Sequence, residues 1–296
     1  MMLMMMRRLI YLQLFLLSGF VALGQRNADE IRRTFLDESS STVLVASHRA
    51  THDVFPENSL EAIRKSIDIG VDIIEIDVKV SKDGVPFLMH DRTLNRTTTG
   101  KGDPEELTWE ELQQFYIVNK GEKTFLKIPT LEDALELADG KILVDLDLKT
   151  DRIKEVMEVV NRTDTKEIVF FFDSDYEVLS RVQAADKELM IMPRAHSTAQ
   201  ADSAIILFDP PVIHIDFSFY TPECVKLIQN SDARIWINAL GACDADIRNG
   251  KTKRALKKLL AYGANVIQTD EPELLIRALE KSGYRPETSV SQRQME

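Results

Sequence analysis

From Thr42 onward the chain alternates between short apolar runs rich in β-branched residues and longer segments with a helical period. Nine of the short runs have the length and composition of strands: 43–48, 72–80, 85–90, 141–148, 167–172, 189–193, 212–216, 234–238 and 265–269. Helical patterns fill most of the gaps, at 59–69, 109–115, 130–138, 152–162, 175–185, 221–229, 251–262 and 271–280. Strands separated by helices form βαβ units, so this alternation predicts a parallel sheet.

One gap between predicted strands is too short for a parallel connection. Four residues separate 72–80 from 85–90, whereas a parallel crossover needs about a dozen. The pair Asp83-Gly84 within this gap is a strong signal for a two-residue hairpin turn. We therefore expect 78–82 and 85–90 to pair antiparallel, as an excursion from the end of the second parallel strand.

Without this hairpin eight parallel strands remain, each expected to lead into a helix. Eight such units in about 250 residues are typical of a (β/α)8 or TIM barrel. An open doubly wound sheet is the alternative, but the chain contains neither a G-x-G-x-x-G sequence nor a P-loop. No linker divides residues 42–285, which are interpreted as one barrel domain. A polar segment with a weak helical period, 25–41, precedes it, and 286–296 is predicted to be a disordered tail.

The first 24 residues have the pattern of a secretory signal. Arg7 and Arg8 precede an apolar run from Leu9 to Leu23, and small residues follow at Ala22 and Gly24. We expect cleavage after residue 24 and export to the periplasm or beyond the cell; an uncleaved N-terminal anchor is the alternative. The apolar run is short for a membrane span, so no stable span is expected once the signal is removed.

Charge and cysteine content restrict the partners of the chain. Its 37 basic and 48 acidic residues give a net charge of −11, and an acidic chain repels nucleic acid at long range. We therefore expect no nucleic-acid partner, while the oligomeric state cannot be read from the sequence. Cys224 and Cys243 lack zinc-site spacing and are interpreted as two separate thiols, with a single bridge as the alternative.

Acidic residues concentrate on two of the predicted barrel strands. Glu75 and Asp77 are two residues apart and therefore lie on one face of the second strand. In the same way, one face of the third strand carries Asp145, Asp147 and Lys149. Active sites of such barrels lie at the C-terminal ends of the strands, and burying several carboxylates there is costly without compensation. The pattern therefore predicts a bound cation, and a set of carboxylate oxygens suits Mg²⁺ or Ca²⁺ better than zinc.

Two histidines are expected beside these carboxylates. His48 and Arg49 end the first strand, and counting outward from a two-residue turn sets His90 opposite Asp77. Two histidines beside a carboxylate-bound metal, with Arg49 and Lys149 nearby, suggest an acid/base pair over an anion-binding site. The alternative is that the histidines are structural and that the two cations only form ion pairs with the carboxylates.

The chain resembles the glycerophosphodiester phosphodiesterase family over about residues 43–280. The motifs that carry the resemblance occur in the family's order: His48-Arg49-Ala50, Pro56-Glu57-Asn58-Ser59, Glu75-Ile76-Asp77-Val78, Ser81-Lys82-Asp83-Gly84, His90-Asp91, Leu94-Asn95-Arg96-Thr97-Thr98, Asp147-Leu148-Lys149, Trp236-Ile237-Asn238 and Thr269-Asp270-Glu271-Pro272. So dense a series of ordered motifs is far more specific than any single short pattern.

The resemblance implies a metal-dependent barrel hydrolase that cleaves glycerophosphodiesters to glycerol 3-phosphate and an alcohol. It also implies a role for each matching residue: His48 and His90 as catalytic acid and base, Arg49 and Lys149 as phosphate-binding groups, Glu75, Asp77 and Asp147 as ligands of one divalent cation, and Glu57, Asn58, Trp236 and Asn238 as candidates to contact the substrate or support the site. Trp236 has two interpretations, an apolar wall for the glycerol carbons or a ring that faces the helices and fills the core.

Two positions depart from the family pattern. The residue after His-Arg is usually glycine and here is Ala50, and the third metal ligand is usually glutamate and here is the shorter Asp147. Three alternatives therefore stay open at this point: a related two-histidine phospholipase or lyase on the same barrel, a non-catalytic binding homologue, and a sugar-phosphate isomerase, which the export signal and the paired histidines disfavour.

Overall fold

The computed structural model describes residues 26–287, so the predicted signal segment and residues 288–296 of the predicted tail lie outside the described residues. The strands are, in chain order, β1 (Leu44–Ser47), β2 (Ile73–Val80), β3 (Pro86–Leu88), β4 (Val118–Asn119), β5 (Glu122–Lys123), β6 (Leu143–Leu148), β7 (Val169–Asp173), β8 (Met190–Pro193), β9 (Val212–His214), β10 (Arg234–Asn238) and β11 (Val266–Thr269). The helices are α1 (Ala28–Leu36), α2 (Leu60–Asp68), α3 (Trp109–Leu112), α4 (Leu131–Ala138), α5 (Ile153–Arg162), α6 (Tyr176–Ala185), α7 (Thr198–Phe208), α8 (Pro222–Gln229), α9 (Ala242–Arg248), α10 (Thr252–Leu259) and α11 (Pro272–Lys281).

Eight of the strands form a parallel barrel in the order β8-β7-β6-β2-β1-β11-β10-β9. The ring closes between β8 and β9 through a parallel bridge of Arg194 with His214. The Ala195 N–H strengthens the closure by donating to the His214 carbonyl at 2.9 Å. The predicted (β/α)8 architecture is confirmed, and each of the nine predicted strands has a counterpart among β1–β3 and β6–β11.

Two helices, α7 and α9, are absent from the sequence-based prediction. In α7, Ala201 and Phe208 are buried, but Ile206 and Leu207 are exposed, so its apolar residues do not form a single stripe. Helix α9 begins after Gly241 without a side-chain cap. Both segments therefore lack the periodicity or the start signal from which helices are recognised.

The predicted hairpin is present, but its register differs from the prediction by one residue. Val78 pairs with Leu88, and the Ser81 N–H donates to the Val85 carbonyl at 2.9 Å. The loop therefore has three residues rather than two, and Gly84 adopts the left-handed conformation (φ +93°) that such a loop requires at its last position. As a result Asp77 is bonded to Met89, whose N–H donates to its carbonyl at 3.0 Å, and the predicted pairing of Asp77 with His90 is wrong.

The polar segment 25–41 contains a helix that covers one end of the barrel. In α1, Ile31 and Phe35 are buried, and the Phe35 ring stacks on Phe170 with 5.4 Å between centroids. Arg234, the first residue of β10, donates from Nε to the Phe35 carbonyl at 2.7 Å. Because α1 packs at the N-terminal ends of the strands, only the C-terminal ends remain available for a site.

The chain between β3 and α4 forms a small lobe with its own apolar core. This lobe packs against the loop that follows β1, where the Asn119 side chain donates to the Val54 carbonyl at 2.8 Å. The lobe therefore lies beside the C-terminal ends of the strands. Its buried residues are Phe87, Met89, Leu94, Leu112 and Ile128.

Two further features of residues 26–287 concern membrane-spanning helices and the cysteines. Among residues 26–287, no helix is both long and apolar enough to cross a membrane. Cys224 and Cys243 are both buried, and neither forms a disulfide. The interpretation of two separate thiols therefore agrees with the structure.

Candidate active site

Three carboxylates meet at the C-terminal ends of β2 and β6. The parallel register aligns Glu75 with Asp145 and Asp77 with Asp147. Oxygens of Glu75, Asp77 and Asp147 all lie within 4.8 Å of one another, and we call these three residues the carboxylate cluster. The alternation predicted from the sequence thus converges on one point inside the barrel.

The carboxylate cluster is electrostatically strained. Burial raises the pKa of Glu75 well above its usual range, and the nearby charges of Asp77 and Asp147 raise it further. Burial also raises the pKa of Asp147, to about 7, although Lys149 acts in the opposite direction. A bound cation would relieve both the burial cost and the mutual repulsion.

The donor atoms of the cluster fit a hard divalent cation. Asp77 Oδ1 is buried and has no hydrogen-bond partner among residues 26–287, and Lys149 Nζ is 3.5 Å from it. Asp145 Oδ1, one layer deeper in the barrel, is likewise buried without a partner in that range. Carboxylate oxygens without protein donors are the ligands that Ca²⁺ and Mg²⁺ take. The cluster is therefore a candidate site for a divalent metal.

The loop after β1 brings Arg49 onto this cluster. Arg49 and Ala50 are consecutive residues with left-handed backbones, at φ +51° and +62°. This conformation directs the Arg49 N–H to Glu75 Oε2 at 2.7 Å and the Ala50 N–H to the Glu75 carbonyl at 3.1 Å. The Arg49 guanidinium places Nε 3.5 Å from Asp77 Oδ2. Ala50 therefore occupies a backbone conformation that glycine adopts more easily.

Asn58 orients one member of the cluster. Its Nδ2 donates to Asp77 Oδ2 at 2.7 Å, and its Oδ1 accepts the Asp77 N–H at 3.1 Å. Asn58 is buried and therefore supports Asp77 from behind. The bond from Nδ2 occupies Oδ2 and leaves Oδ1 for the cluster.

An ionic chain connects Arg49 to His90. Arg49 Nη1 donates to Glu57 Oε1 at 2.9 Å. Arg96 donates to both oxygens of Glu57, at 2.7 and 2.8 Å, and to both oxygens of Asp91, at 2.7 and 2.8 Å. Burial would raise the pKa of Glu57, but Arg96 and Arg49 outweigh it and lower that pKa. Hydrogen bonds from Arg96 also lower the pKa of Asp91, so both carboxylates remain charged.

Each candidate catalytic histidine pairs with a carboxylate. His48 Nδ1 lies 2.8 Å from Asp270 Oδ1, and His90 Nδ1 lies 2.9 Å from Asp91 Oδ1. A carboxylate on Nδ1 fixes the ring orientation and leaves Nε2 as the nitrogen that can exchange a proton. The sequence-based prediction gave no role to Asp91 or Asp270, although both belong to motifs that carry the family resemblance.

Lys149 adds a second cation at the cluster. Its Nζ donates to Asp147 Oδ2 at 2.7 Å. Burial alone would lower the pKa of Lys149, but the charges of Asp147 and Asp77 outweigh it and raise that pKa. Lys149 is therefore charged at neutral pH and can neutralise an anion beside the carboxylates.

Seven of the eleven predicted site residues line one cavity of about 210 Å³ in the mouth of the barrel. Arg49, Asp77, Glu57 and Asn58 are not among its lining residues; Glu57 accepts from Arg49 and Arg96, and Asn58 donates to Asp77. Trp236 does line the cavity, but its ring is fully buried and packs edge-on against Phe170 at 6.1 Å. The ring therefore faces the barrel interior rather than the helices, and it is also part of the buried core. The lining residues are His48, Glu75, His90, Asp145, Asp147, Lys149, Phe172, Met192, Arg194, His214, Trp236, Asn238, Leu240 and Gln268.

The far side of the cavity contains polar residues that the sequence-based prediction missed. Arg194, His214 and Asn238 lie on or just after β8, β9 and β10, and we call them the opposite wall because these strands face β1, β2 and β6 across the ring. Only Asn238 was among the predicted site residues. Arg194 Nη2 donates to Asp216 Oδ1 at 2.7 Å, and His196 Nδ1 lies 3.1 Å from Asp216 Oδ2.

The fold and the cavity define a class of enzyme: a barrel hydrolase of phosphoric diesters. Buried carboxylates suited to a divalent metal, two cations and two carboxylate-paired histidines meet where such barrels carry their active sites. The sequence matches the profile of the glycerophosphoryl diester phosphodiesterase family over residues 48–205, and the chain belongs to this family. The family predicted from the motifs is thus confirmed.

Three similar proteins illustrate how far the likeness extends. A glycerophosphodiester phosphodiesterase of Caldanaerobacter subterraneus is 24% identical over 250 residues, which cover 81% of this chain and 99% of the relative. A crystal structure of a glycerophosphoryl diester phosphodiesterase from Parabacteroides distasonis superposes with a TM-score of 0.76 at 23% identity, covering 91% and 96% of the two chains. An Oleispira antarctica phosphodiesterase, solved with the product sn-glycerol-3-phosphate, gives a TM-score of 0.69 at 25% identity, with 80% and 96% covered.

Proposed function

We propose that this protein hydrolyses glycerophosphodiesters to glycerol 3-phosphate and an alcohol. The observation that carries the proposal is the convergence of the carboxylate cluster, two cations and two carboxylate-paired histidines on one cavity of about 210 Å³. The relative from Caldanaerobacter and the product complex from Oleispira support the same substrate class.

The carboxylate cluster would hold one divalent cation, Ca²⁺ or Mg²⁺. When bound, such an ion supplies positive charge that stabilises the charge on phosphoryl oxygens. Asn58 keeps Asp77 in position through two hydrogen bonds, and the Arg49 N–H does the same for Glu75. These contacts fix the ligand oxygens before the ion arrives.

Arg49 and Lys149 bind the phosphodiester anion. Both already touch the cluster, so an incoming phosphate meets two positive charges at the place where its own charge grows during the reaction. Glu57, itself held by Arg96, accepts from the Arg49 guanidinium on its outer side and limits its motion. The phosphate is thereby oriented between the two histidines.

The histidines transfer the protons. With each Nδ1 held by Asp270 or Asp91, one Nε2 takes a proton from the nucleophile and the other protonates the leaving alkoxide. The nucleophile is a water molecule or the neighbouring hydroxyl of glycerol, and the hydroxyl route passes through a cyclic phosphate. A time course that detects the cyclic phosphate distinguishes the two routes.

The test of the proposed function is a panel of glycerophosphodiesters assayed with Ca²⁺, with Mg²⁺ and with EDTA. We expect metal-dependent release of glycerol 3-phosphate, measured with a coupled dehydrogenase, and no release of inorganic phosphate. Turnover of lysolipids in preference to water-soluble diesters would favour the related phospholipase. Absence of turnover with either metal would favour a binding homologue.

Export is the remaining part of the proposal. We infer that residues 1–24 direct the chain out of the cytoplasm and that the mature protein begins near Gln25. The basic residues near the N-terminus, the apolar run and the small residues at the expected cleavage site support this. N-terminal sequencing of the protein recovered from cell fractions tests this. An intact Met1 on a membrane-bound chain would indicate the uncleaved anchor instead.

A further inference from the structure

We propose that His214, on the opposite wall, binds a free hydroxyl group of the substrate half that enters the cavity and thereby selects hydroxylated phosphodiesters. The proposal deepens the proposed function and rests on it. It assigns to a residue outside the family motifs a role in substrate selection, separate from the groups that act on the phosphate.

His214 is a buried polar group that faces the cavity without a partner. Its side chain is the last of β9, the residue is 3% exposed, and it lines the cavity. Neither ring nitrogen has a hydrogen-bond partner among residues 26–287. A buried polar group left unpaired destabilises a protein. Such a group at the wall of an active-site cavity is therefore suited to pair with a ligand.

The neighbours of His214 do not supply that partner. The Phe172 and Trp236 rings lie beside it, with centroid distances of 5.4 and 6.4 Å. Trp236 Nε1 already donates to Asn238 Oδ1 at 3.0 Å, and Arg194 Nη2 is engaged by Asp216. The aromatic rings restrict water on both sides of the imidazole, so the open direction is the cavity.

The chemistry of the ring selects the kind of group it can bind. The pKa of His214 is lowered to about 3, chiefly by burial and also by the charge of Arg194, while Asp216 opposes the shift. The imidazole is therefore neutral at physiological pH, with one nitrogen that donates and one that accepts. A hydroxyl group both donates and accepts, whereas an ammonium group would meet the positive charge of Arg194 nearby.

The position of His214 fits a substrate bound by its phosphate at the cluster. β9 lies across the ring from β2, which carries Glu75 and Asp77, with three strands between them on either side. The cavity volume of about 210 Å³ is below the range of about 300–1,000 Å³ that encloses drug-sized ligands. A small group such as glycerol can span from the phosphate to His214, and the other ester arm then points out of the mouth.

The test compares two substrates in wild type and in His214→Phe, which keeps a flat ring but removes both nitrogens. We expect kcat/KM for glycerophosphodiesters to fall by about 10- to 100-fold, and kcat/KM for bis(p-nitrophenyl) phosphate, which has no hydroxyl, to change by less than about threefold. His214→Gln, which can still donate and accept, is the matched control and should retain most of the preference. Equal losses on both substrates, or no loss on either, would overturn the proposal.

A second assay keeps the proposal separate from the proposed function. Inhibition of bis(p-nitrophenyl) phosphate hydrolysis by sn-glycerol 3-phosphate is compared with inhibition by ethyl phosphate, which lacks hydroxyls. Wild type should prefer glycerol 3-phosphate and His214→Phe should not, whether or not glycerophosphodiesters are turned over. Should His214→Phe fail to fold, nitrogen NMR of the His214 ring in wild type replaces it: a shift with glycerol 3-phosphate but not with ethyl phosphate supports the proposal, and identical spectra refute it.

Discussion

The two sides of the barrel mouth differ in their charged groups: the first side holds the carboxylate cluster and two cations, whereas the opposite wall pairs Arg194 with Asp216 and carries the neutral ring of His214. On β1, β2 and β6 the cations touch carboxylates, as Lys149 touches Asp147 at 2.7 Å and Arg49 touches Glu57 at 2.9 Å. On the opposite wall, His214 is buried with no partner among residues 26–287. The first side is preorganised to bind charged groups, and the opposite wall is suited to bind a neutral group. In the two proposals made above, reaction chemistry and substrate selection are carried by different strands.

The largest expected effect tests the first side. His48→Ala and His90→Ala should each lower kcat by about a hundredfold or more, the range for a lost general acid or base. Steady-state kinetics on folded variants measures this. His196→Ala is the matched control, because this ring pairs with Asp216 and does not line the cavity. A His90→Ala enzyme with near wild-type turnover would remove His90 from the mechanism.

The second prediction concerns the carboxylate cluster. One substitution there should lower activity but raise stability. Glu75→Gln should abolish metal-dependent turnover, yet raise the melting temperature of the EDTA-treated protein by about 2–4 °C, equivalent to roughly 1 kcal/mol at this size. The rise is expected because glutamine is neutral and avoids the free-energy cost of burying, or of protonating, a carboxyl group among like charges. Calorimetry with and without Ca²⁺ or Mg²⁺ measures both effects.

A matched surface substitution isolates the role of the cluster in that experiment. Glu158→Gln removes an exposed carboxylate that pairs with Lys154 at 3.6 Å. It should change neither turnover nor the stabilisation by metal. If Glu75→Gln were stabilised by metal as strongly as wild type, the ion would have to bind elsewhere.

The sequence predicted the residues on the first side of the barrel mouth better than those on the opposite wall. Glu75, Asp77, Asp147 and Lys149 alternate on neighbouring strands, so their convergence follows from strand periodicity alone. Arg194 and His214 occur singly in apolar strands, and what brings them to the cavity is the closure of the ring between β8 and β9. Periodicity within a strand carries no information about that closure.

The partners of the two candidate catalytic histidines and the hairpin register show a second limit of prediction from sequence. Asp270 is 222 residues from His48 in sequence, and nothing local predicts their 2.8 Å contact. The hairpin turn was expected to have two residues, but Gly84 at φ +93° makes a three-residue loop equally compatible with Asp83-Gly84. His90 nevertheless lines the cavity, because it follows β3 and is oriented by Asp91 rather than by strand pairing.

The third prediction uses acid to probe the opposite wall. The pKa of His214 is lowered to about 3 by burial, from an ordinary value of 6.5. The unfolded chain therefore binds a proton below about pH 6.5 that the folded protein does not, so stability is lost as the pH falls from 6.5 toward 3. Urea unfolding at pH 7 and pH 4.5 should show that wild type loses on the order of 2 kcal/mol more than His214→Gln. Equal losses would mean that His214 is more accessible than the structure indicates.

The smallest expected effect concerns Ala50, which departs from the family pattern on the first side. Its backbone already has the left-handed conformation (φ +62°) that a glycine would supply, and its N–H already reaches the Glu75 carbonyl at 3.1 Å. Ala50→Gly relieves strain of about 1–2 kcal/mol but loses a buried methyl group worth roughly 0.8 kcal/mol and adds freedom to the unfolded chain worth about 0.4–1 kcal/mol. We therefore expect the free energy of unfolding to change by less than about 1 kcal/mol and kcat to stay near wild type.

Ala50→Val, whose branched side chain tolerates this backbone poorly, should instead lower both stability and turnover. Loss of activity in Ala50→Gly would show that the methyl group itself, rather than the turn, positions Arg49.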